Sequence, residues 1–512
     1  MKGCAFSPTG SKSRPEFFGF TAVFSNPTVR MNATRNASKN RAKGNGAKGN
    51  TTRRRLGRRT FINVLNDDFK EMMRHRGDPT KHLFFQSIRW WKSMYAMWSA
   101  ESWTLNTKDS AIPYNPTVDL TVLTPVSDCK FVPTKTLTPA YLNKFYEQLT
   151  TTQDYSAIRT KCHDMTNYAL PSTVDSLAKW KHFEDPSALN VMILGAGPVG
   201  LYTALYLQHI YNKDIENMTE FSFRKVNILL VDNRIHKEGE KMPYSRSTQF
   251  GFSIEEIQPF LQQIFCWDMV KYDVRAFDYI HVLENLLYTV AYKTQIPMAF
   301  TKQLEDPAAL KAFVVKESIH VLFDCTGGRS RIPVAHGVRW NDYSFKEGTG
   351  EVKLNPDTQT YEYCEDGKAF TTQVLRLQLF DKDRNEFLIG NEFAEPTDPA
   401  DMELATKYNN QCFRTKDFLE VASAFQKEKI RHLFPHMLEV GGLKEKEVDS
   451  VKIAVFNTVA RHSPFAAASF ERGCVLIRIG DSLAGTEYGI VFGMKHSIEF
   501  SKHICNLMST FI

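Results

Sequence analysis

The sequence contains no apolar run that approaches the roughly 18 to 20 residues needed to cross a bilayer, so it does not predict a membrane-embedded protein. Cysteine occurs nine times, an odd number, and never in a CxxC spacing. This pattern argues against a disulfide framework and a zinc cluster, and it favours a reducing, intracellular compartment. The sequence also shows no Ser-His-Asp constellation and no cluster of metal ligands, so we predict no metal site.

Acidic residues are almost missing from the N-terminus. Residues 1–60 contain fourteen Lys and Arg but a single acid, Glu16, which gives a net charge of +13. The whole chain carries +7, so the remaining residues carry −6. Large apolar side chains are few between residues 28 and 60, and such a segment cannot bury enough apolar surface to offset its conformational entropy. We therefore predict a disordered basic arm over residues 1–60.

The charge of this arm suits several partners that the sequence does not separate. The arm could bind nucleic acid or another polyanion through residues 28–60, an acidic protein surface, or anionic lipid. An Arg-rich, acid-poor N-terminus also resembles an organelle transit peptide. A solvated tail without a specific partner is the remaining alternative. We expect a cytoplasmic protein, unless the arm directs the chain to an organelle.

Residues 61–186 have helical spacing of apolar residues in "TFINVLNDDFKEMMRHR" and in "KHLFFQSIRWWKSMYAMW". After a Pro-rich link, "TPAYLNKFYEQL" predicts a further helix, with Thr138 as its N-cap and Pro139 in its first turn. We predict a helical N-terminal region that packs on the domain that follows it.

A nucleotide motif begins at residue 190 with "NVMILGAGPVGLYTALYL". An apolar run typical of a buried parallel strand leads into GxGxxG, and an apolar helix follows from Pro198. Gly195 permits the sharp turn, Gly197 lets backbone amides approach a pyrophosphate, and Gly200 allows close packing of helix on strand. A second strand, "KVNILLVDN", ends in Asp232, which would bind the ribose hydroxyls and repel a 2′-phosphate. The site therefore favours FAD or NAD over NADP.

Two later segments add to this motif. "HVLFDCTGGRSR" (320–331) and "CVLIRIGDSLAG" (474–485) are apolar strands that end in an acid and glycines. Their order after GxGxxG resembles that of FAD-dependent oxidoreductases, in particular the aromatic-hydroxylase-like monooxygenases, over residues 188–335 and 450–508. The resemblance implies an FAD site formed by Gly195, Gly197, Pro198, Gly200, Asp232, Arg234, Arg246, Asp481, Gly485 and Gly489.

The segment "DNRIHKEGEKMPYSRSTQFGFSIEEIQPF" is similar to the corresponding part of MICAL-type flavin monooxygenases, which hydroxylate protein methionines. The chain departs from that family at His281 and Glu284, which stand where the family has Arg and Gln. We place His281 and Tyr244 near the flavin ring as candidate catalytic residues. The alternatives are a histidine on a packed helix and a tyrosine on an exposed loop.

The resemblance implies an NAD(P)H-using monooxygenase, or hydroxylase, that acts through a flavin hydroperoxide. No second nucleotide motif is evident in the part predicted to fold, which fits NAD(P)H (NADH or NADPH) as a transient co-substrate. The substrate would be a small molecule or a protein side chain. The alternative is a catalytically inactive binding or scaffold protein that keeps the flavoprotein fold and is tethered to polyanions by its basic arm.

The predicted fold class is α/β: a Rossmann-like FAD-binding domain with a parallel sheet and helices, a smaller α+β substrate domain, and a helical N-terminal region. The predicted order along the chain is the arm (1–60), the helical region (61–186), the first part of the FAD-binding domain (187–334), the substrate domain (335–450) and the last part of the FAD-binding domain (451–512).

Overall fold

The structure of the protein is a computed structural model. It describes residues 49–75, 78–86, 88–89, 92, 133–151, 154–180, 183, 187–214, 225–244, 249–250, 278–327, 332, 345–381, 386–394, 403, 405, 407, 412–414, 417–418, 420, 422, 426–427, 430, 452–485 and 494–511.

The α-helices are α1 (Gly49–Met73), α2 (Pro139–Thr151), α3 (Tyr155–Asp164), α4 (Pro198–Asp214), α5 (Ile280–Lys293), α6 (Pro307–Lys316) and α7 (Met494–Phe511). The strands are β1 (Arg74–His75), β2 (Asp78–His82), β3 (Lys135–Thr136), β4 (Tyr168–Pro171), β5 (Ala188–Leu194), β6 (Lys225–Asp232), β7 (Ile235–Lys237), β8 (Glu240–Lys241), β9 (Gln249–Phe250), β10 (Asp278–Tyr279), β11 (Met298–Phe300), β12 (Val321–Asp324), β13 (Phe345–Glu347), β14 (Gly350–Asn355), β15 (Thr360–Glu365), β16 (Lys368–Ala369), β17 (Thr371–Asp381), β18 (Glu386–Ala394), β19 (Cys412–Arg414), β20 (Lys452–Val459), β21 (Arg461–His462), β22 (Ala467–Ser469), β23 (Val475–Arg478) and β24 (Ala484–Gly485).

A six-stranded sheet in the order β11-β6-β5-β12-β23-β22 forms the centre of the fold. Its strands pair in parallel, except that β22 is antiparallel to β23 at one edge. All seven residues of β5 are buried, which explains its uninterrupted apolar sequence. The order of the parallel strands along the chain is that of a Rossmann-type sheet. This confirms the predicted α/β class and the strands predicted on either side of the glycine motif.

A second, antiparallel part contains the sheet β18-β17-β20-β19. The predicted hairpin is confirmed, because Asp381 pairs with Glu386 at its tip. The predicted boundary at residue 450 differs from the observed pairing: β20 lies beyond it but pairs along its whole length with β17. The alternating pattern of β17 is local, whereas its pairing with β20 joins residues some eighty positions apart, and the sequence does not show that contact.

The N-terminal region is attached to the central sheet by α1. This helix begins at Gly49, inside the segment 1–60 that was predicted to be disordered, and Arg58 already donates to the carbonyl of Gly473 at 2.7 Å. The region also contains the strands β2, β3 and β4, so it is less helical than predicted. The predicted start of α2 is confirmed: the N–H of Tyr141 donates to Oγ1 of Thr138 at 3.2 Å.

One hydrophobic cluster joins the N-terminal region to the central sheet. Phe61 and Leu65 of α1, Leu142 of α2 and Leu189 of β5 are all buried within it. Residues 53–512 form one compact unit as a result. No helix among the described residues is both long enough and apolar enough to span a bilayer.

Candidate cofactor site

Three loops that are far apart in the sequence meet at the carboxyl end of the parallel sheet. They follow β5, β12 and β23. The N–H of Cys325 donates to the carbonyl of Leu194 at 2.8 Å, and the N–H of Ile479 donates to the carbonyl of Asp324 at 3.1 Å. In open parallel sheets, ligands bind in the crevice where the strand order reverses, which here lies between β5 and β12.

The three glycines of the first loop differ in what their backbones touch. Gly195 has φ +101°, and a Cβ there would lie 2.5 Å from the carbonyl oxygen of Cys325. A Cβ on Gly200 would overlap the carbonyl oxygen of Gly195. At Gly197, by contrast, no atom of the described residues lies within 4 Å of the Cβ position. The fold itself requires Gly195 and Gly200, whereas Gly197 borders open space next to the start of α4 at Pro198.

Asp232 ends β6 and ties two loops together. Its Oδ2 accepts the N–H of Ala196 at 2.8 Å, and its Oδ1 accepts the N–H of Arg234 at 2.7 Å. The side chain is buried, with 6% exposure. A carboxylate has about four acceptor positions, so these two hydrogen bonds leave lone pairs for a ribose. The ribose contact stays a prediction.

Asp232 belongs to a buried charge cluster, which also contains Arg234, Lys241 and Glu284. Nη2 of Arg234 donates to Oε1 and Oε2 of Glu284 at 2.6 and 2.7 Å, and Nζ of Lys241 also pairs with Oε1 of Glu284. Lys241 and Glu284 are fully buried.

The pKa shifts in the buried charge cluster have opposing causes. Burial alone would raise the pKa of Glu284, but Arg234 and Lys241 lower it. Burial opposes the charge of Arg234, yet Glu284 and Asp232 together raise the pKa of its guanidinium. For Lys241, burial and Arg234 prevail and lower the pKa of the ammonium. Glu284 is therefore held as a carboxylate by two cations.

Tyr244, a predicted catalytic residue, is half-buried next to this cluster. The guanidinium carbon of Arg234 lies 5.6 Å from the centre of its ring, a cation–π distance. Two predicted site residues are thus in contact, while the catalytic role of Tyr244 stays a prediction.

The strand ends at β12 and β23 bring a second pair of charges to the site. Oδ2 of Asp324 lies 3.8 Å from Nε of Arg478, and Oδ1 of Asp324 accepts the hydroxyl of Thr326 at 2.8 Å. Burial lowers the pKa of Arg478, and Asp324 opposes this shift. Asp324 is fully buried, and Thr326 and Arg478 are its partners at the switch point.

Asp481 lies in the third loop, in the turn Gly480–Ser482. Its side chain is exposed at the surface, yet the protein packed around it removes part of its hydration, which raises the pKa of its carboxyl, and Arg461 opposes this shift. Gly485 follows in β24, opposite Arg461 of β21.

His281, the other predicted catalytic residue, is buried on α5 against α3. Its Nε2 lies 2.7 Å from Nδ1 of His163, and one turn later Asn285 donates to the carbonyl of Cys162 at 2.8 Å. Burial, with a smaller effect of Arg159, lowers the pKa of His163 to about 4, so His163 is neutral at pH 7. The role of His281 at a flavin stays a prediction. Arg246 and Gly489, both predicted to bind cofactor, lie outside the described residues.

Sequence reasoning missed the buried charge cluster as a unit. Glu284 was noted only as a departure from a family pattern, and Lys241 was not singled out. A signal existed: "IHVLENLLYTVAY" is apolar on nearly every face, so an acid within it must be paired.

No protein-family model matches the chain, and no curated protein matches it. Solved structures with a similar chain path include p-nitrophenol 4-monooxygenase PnpA from Pseudomonas putida DLL-E4, which is 12% identical, with 64% of this chain and 81% of that chain covered and a TM-score of 0.30. CtdE, solved in complex with FAD and a substrate, is 9% identical, with 62% and 80% covered and a TM-score of 0.34. The myxobacterial chondrochloren halogenase CndH, described as a variant of FAD-dependent halogenases, is 8% identical, with 62% and 72% covered and a TM-score of 0.31. These similarities are too low to assign a family, so the chain's own sheet order and site residues carry the functional proposal.

Proposed function

We propose that the chain is an FAD-dependent oxidoreductase, and more narrowly a monooxygenase with NAD(P)H as transient co-substrate. The observation that carries the proposal is the glycine loop at the switch point of the sheet. Gly195 and Gly200 pack against backbone, while Gly197 leaves open space beside the N-terminus of α4. Backbone N–H groups and the helix dipole favour a phosphate at such a position, so a dinucleotide pyrophosphate fits there.

The residues around this loop fit the rest of an FAD molecule. Asp232 would accept the ribose hydroxyls with its remaining lone pairs, and Asp481 would border the pyrophosphate and ribityl chain. Gly485 would lie towards the flavin. FAD, when bound, supplies the hydride-accepting and oxygen-activating chemistry, and the chain binds it, orients it and excludes water.

The substrate would be a small molecule or a protein side chain. The antiparallel sheet β18-β17-β20-β19 is the element that we propose selects it, as the resemblance to aromatic-hydroxylase-like monooxygenases implies. The similarity to MICAL-type enzymes depends largely on residues 245–260, of which the structure describes only 249–250. Methionine hydroxylation is therefore not part of the proposal.

The first test is the visible spectrum of the purified full-length chain after incubation with FAD. We expect a flavin spectrum, and oxidation of NADH or NADPH in air with release of peroxide. A colourless protein that takes up no FAD would refute the proposal. A yellow protein that leaves both nicotinamides unoxidised would refute the enzyme and retain the cofactor.

Two glycine substitutions make the test specific for the loop. Gly197→Val should abolish FAD uptake and leave the thermal unfolding midpoint of the cofactor-free protein nearly unchanged, because its side chain enters open space. Gly200→Val should lower that midpoint as well, because its side chain would overlap the backbone of Gly195. If Gly197→Val binds FAD normally, the pyrophosphate does not lie on this loop.

A further inference from the structure

Glu284 is a fully buried carboxylate on a helix whose neighbours are apolar. Burying a charge is costly unless it is paired, and replacing buried ion pairs by apolar side chains is often neutral or stabilising. Stability alone therefore does not account for an acid at this position. What distinguishes Glu284 is its partner Arg234. The backbone N–H of Arg234 donates to Asp232, which in turn binds the glycine loop.

Arg234 has donors to spare. A guanidinium carries five N–H groups, and the hydrogen bonds to Glu284 use only Nη2. Among the described residues no acceptor contacts Nε or Nη1 of Arg234. The side chain is 26% exposed, whereas that of its partner Glu284 is 0% exposed. One end of the guanidinium is thus anchored in the interior, and the other is available to a ligand.

The position of the anchored guanidinium restricts what that ligand can be. The N–H of Arg234 donates to Asp232, whose other oxygen accepts the N–H of Ala196 in the glycine loop. Arg234 also lies over the ring of Tyr244, which leaves its planar face occupied on one side. Asp232 therefore links the backbone of Arg234 to the glycine loop, where the proposed function places the ribose and phosphates of a nucleotide.

Lys241 completes the arrangement without reaching a ligand. Its ammonium is fully buried and pairs with the same oxygen of Glu284 as Arg234 does. Two cations share one oxygen of Glu284, and Asp232 supplies the second carboxylate that acts on both of them.

We propose that Glu284 is a positioning residue that, with Lys241 behind it, holds Arg234 so that its free donors bind the ribose-phosphate part of the ADP half of a dinucleotide. This rests on the proposed function, which places such a nucleotide on the glycine loop. Glu284 itself touches no ligand. It acts through Arg234 alone, and this is the property that an experiment can isolate.

The probe is ADP, titrated calorimetrically into the full-length, cofactor-free chain. Three variants are compared with wild type: Arg234→Gln, the double variant Glu284→Gln/Lys241→Met, and the triple variant that combines them. The double variant removes an acid and a cation together and keeps their volumes, so the formal charge of the cluster does not change. The matched control is Glu351→Gln/Lys353→Met, a pair 3.0 Å apart on β14 with Lys353 exposed and Glu351 half-buried.

We expect Arg234→Gln and the double variant each to weaken ADP binding about tenfold, the usual scale for a hydrogen bond to a charged group. The triple variant should be no more than about twofold weaker than Arg234→Gln, because residues that act through one another are not additive. The control should bind ADP like wild type. Far-ultraviolet circular dichroism and the unfolding midpoint are measured for every variant.

Three results overturn the inference. If the double variant binds ADP with wild-type affinity, Glu284 is irrelevant to the ligand. If the effects of Arg234→Gln and of the double variant multiply, Glu284 is a general structural residue. If wild type binds no ADP, Arg234 has no ligand to hold. A wild type that binds ADP but not FAD refutes the proposed function alone, and normal FAD and ADP binding by all variants refutes this inference alone.

Discussion

Acid should destabilise the protein through one buried histidine pair, His82 of β2 and His462 of β21. Their Nε2 atoms are 3.2 Å apart, and both side chains are fully buried. Nδ1–H of His462 donates to the carbonyl of Ser463 at 2.7 Å, and Nδ1 of His82 accepts the N–H of Phe84 at 3.1 Å. The proton between the rings therefore belongs to His82. This arrangement satisfies each ring nitrogen only when both rings are neutral.

Aromatic rings surround the histidine pair. The rings of Phe69, Phe84, Phe345 and Tyr361 lie against it. Burial lowers the pKa of His462 to about 4, although its bond to Ser463 opposes the shift, and burial together with His462 lowers the pKa of His82 well below its ordinary value. Protonating Nε2 of His462 would also place two N–H groups face to face, and protonating Nδ1 of His82 would set it against the N–H of Phe84.

These shifts convert into a loss of stability at low pH. Above about pH 6.5 the rings are neutral in both the folded and the unfolded chain, and the contribution of the pair is fully present. Below that pH the unfolded chain binds protons that the folded chain refuses, so the free energy of unfolding falls as the pH approaches 4. For His462 the difference of about 2.5 pH units corresponds to about 3 kcal/mol, and His82 acts in the same direction.

The assay is urea unfolding at half-unit steps from pH 7.5 to 4.5, for wild type and for His462→Asn. Asparagine keeps a donor near the carbonyl of Ser463 but does not titrate. The variant should be less stable at pH 7.5, and its stability should fall less steeply with pH, by about 1.4 kcal/mol per pH unit at most. Asn143→Ala on α2, which removes no titrating side chain, is the control and should keep the wild-type slope. Parallel slopes for wild type and His462→Asn would refute the reasoning.

Two further predictions concern the N-terminal region. Asn66 donates to the carbonyl of Ala467 and accepts the N–H groups of Ala466 and Ala467 at 2.8 to 3.0 Å. Asn66→Ala should therefore lower the free energy of unfolding, measured by urea unfolding, by about 3 kcal/mol. Asn143→Ala, at a half-buried position where the side chain accepts one hydrogen bond from Lys293, should lower it less, and equal effects would show that the contacts of Asn66 add no stability of their own. Deleting residues 1–48, which hold nine of the fourteen basic residues of the arm, should weaken RNA binding at low salt and flatten its dependence on salt without changing FAD uptake, as measured by fluorescence anisotropy and the visible spectrum; unchanged RNA binding would place the basic surface on the folded part.

The elements of the central sheet could be predicted because their signals are local. The apolar run of β5, the glycines after it and the acid at the end of β6 each lie within a short stretch of sequence, and their geometry follows from backbone sterics. The hairpin of β17 and β18 was equally local. The pairing of β17 with β20 was not, since the sequence between them carries no signal for which strand returns to the sheet.

The start of the folded chain shows the same limit. Composition predicted disorder up to residue 60, because the segment is rich in Arg, Lys, Asn and Gly and has few large apolar residues after Phe24. Arg58 nevertheless contacts the carbonyl of Gly473, a partner more than four hundred residues away. A basic residue that caps a distant turn has the same composition as one in a solvated tail, so composition cannot distinguish them.

Buried polar contacts connect the N-terminal region to three elements of the rest of the fold. His82 meets β21, which pairs with β24 directly after the loop of Asp481. Asn66 holds β22, the edge of the central sheet, and His163 meets His281 on the helix that carries Glu284. The contacts of His82 and His163 join the region to elements next to Asp481 and Glu284, whereas Asn66 ties it to the outer edge of the sheet. A nucleotide site at the end of a parallel sheet depends on the positions of its loops, and His82 packs beside one of them. Removing that region should therefore weaken nucleotide binding even though it contributes no residue to the glycine loop.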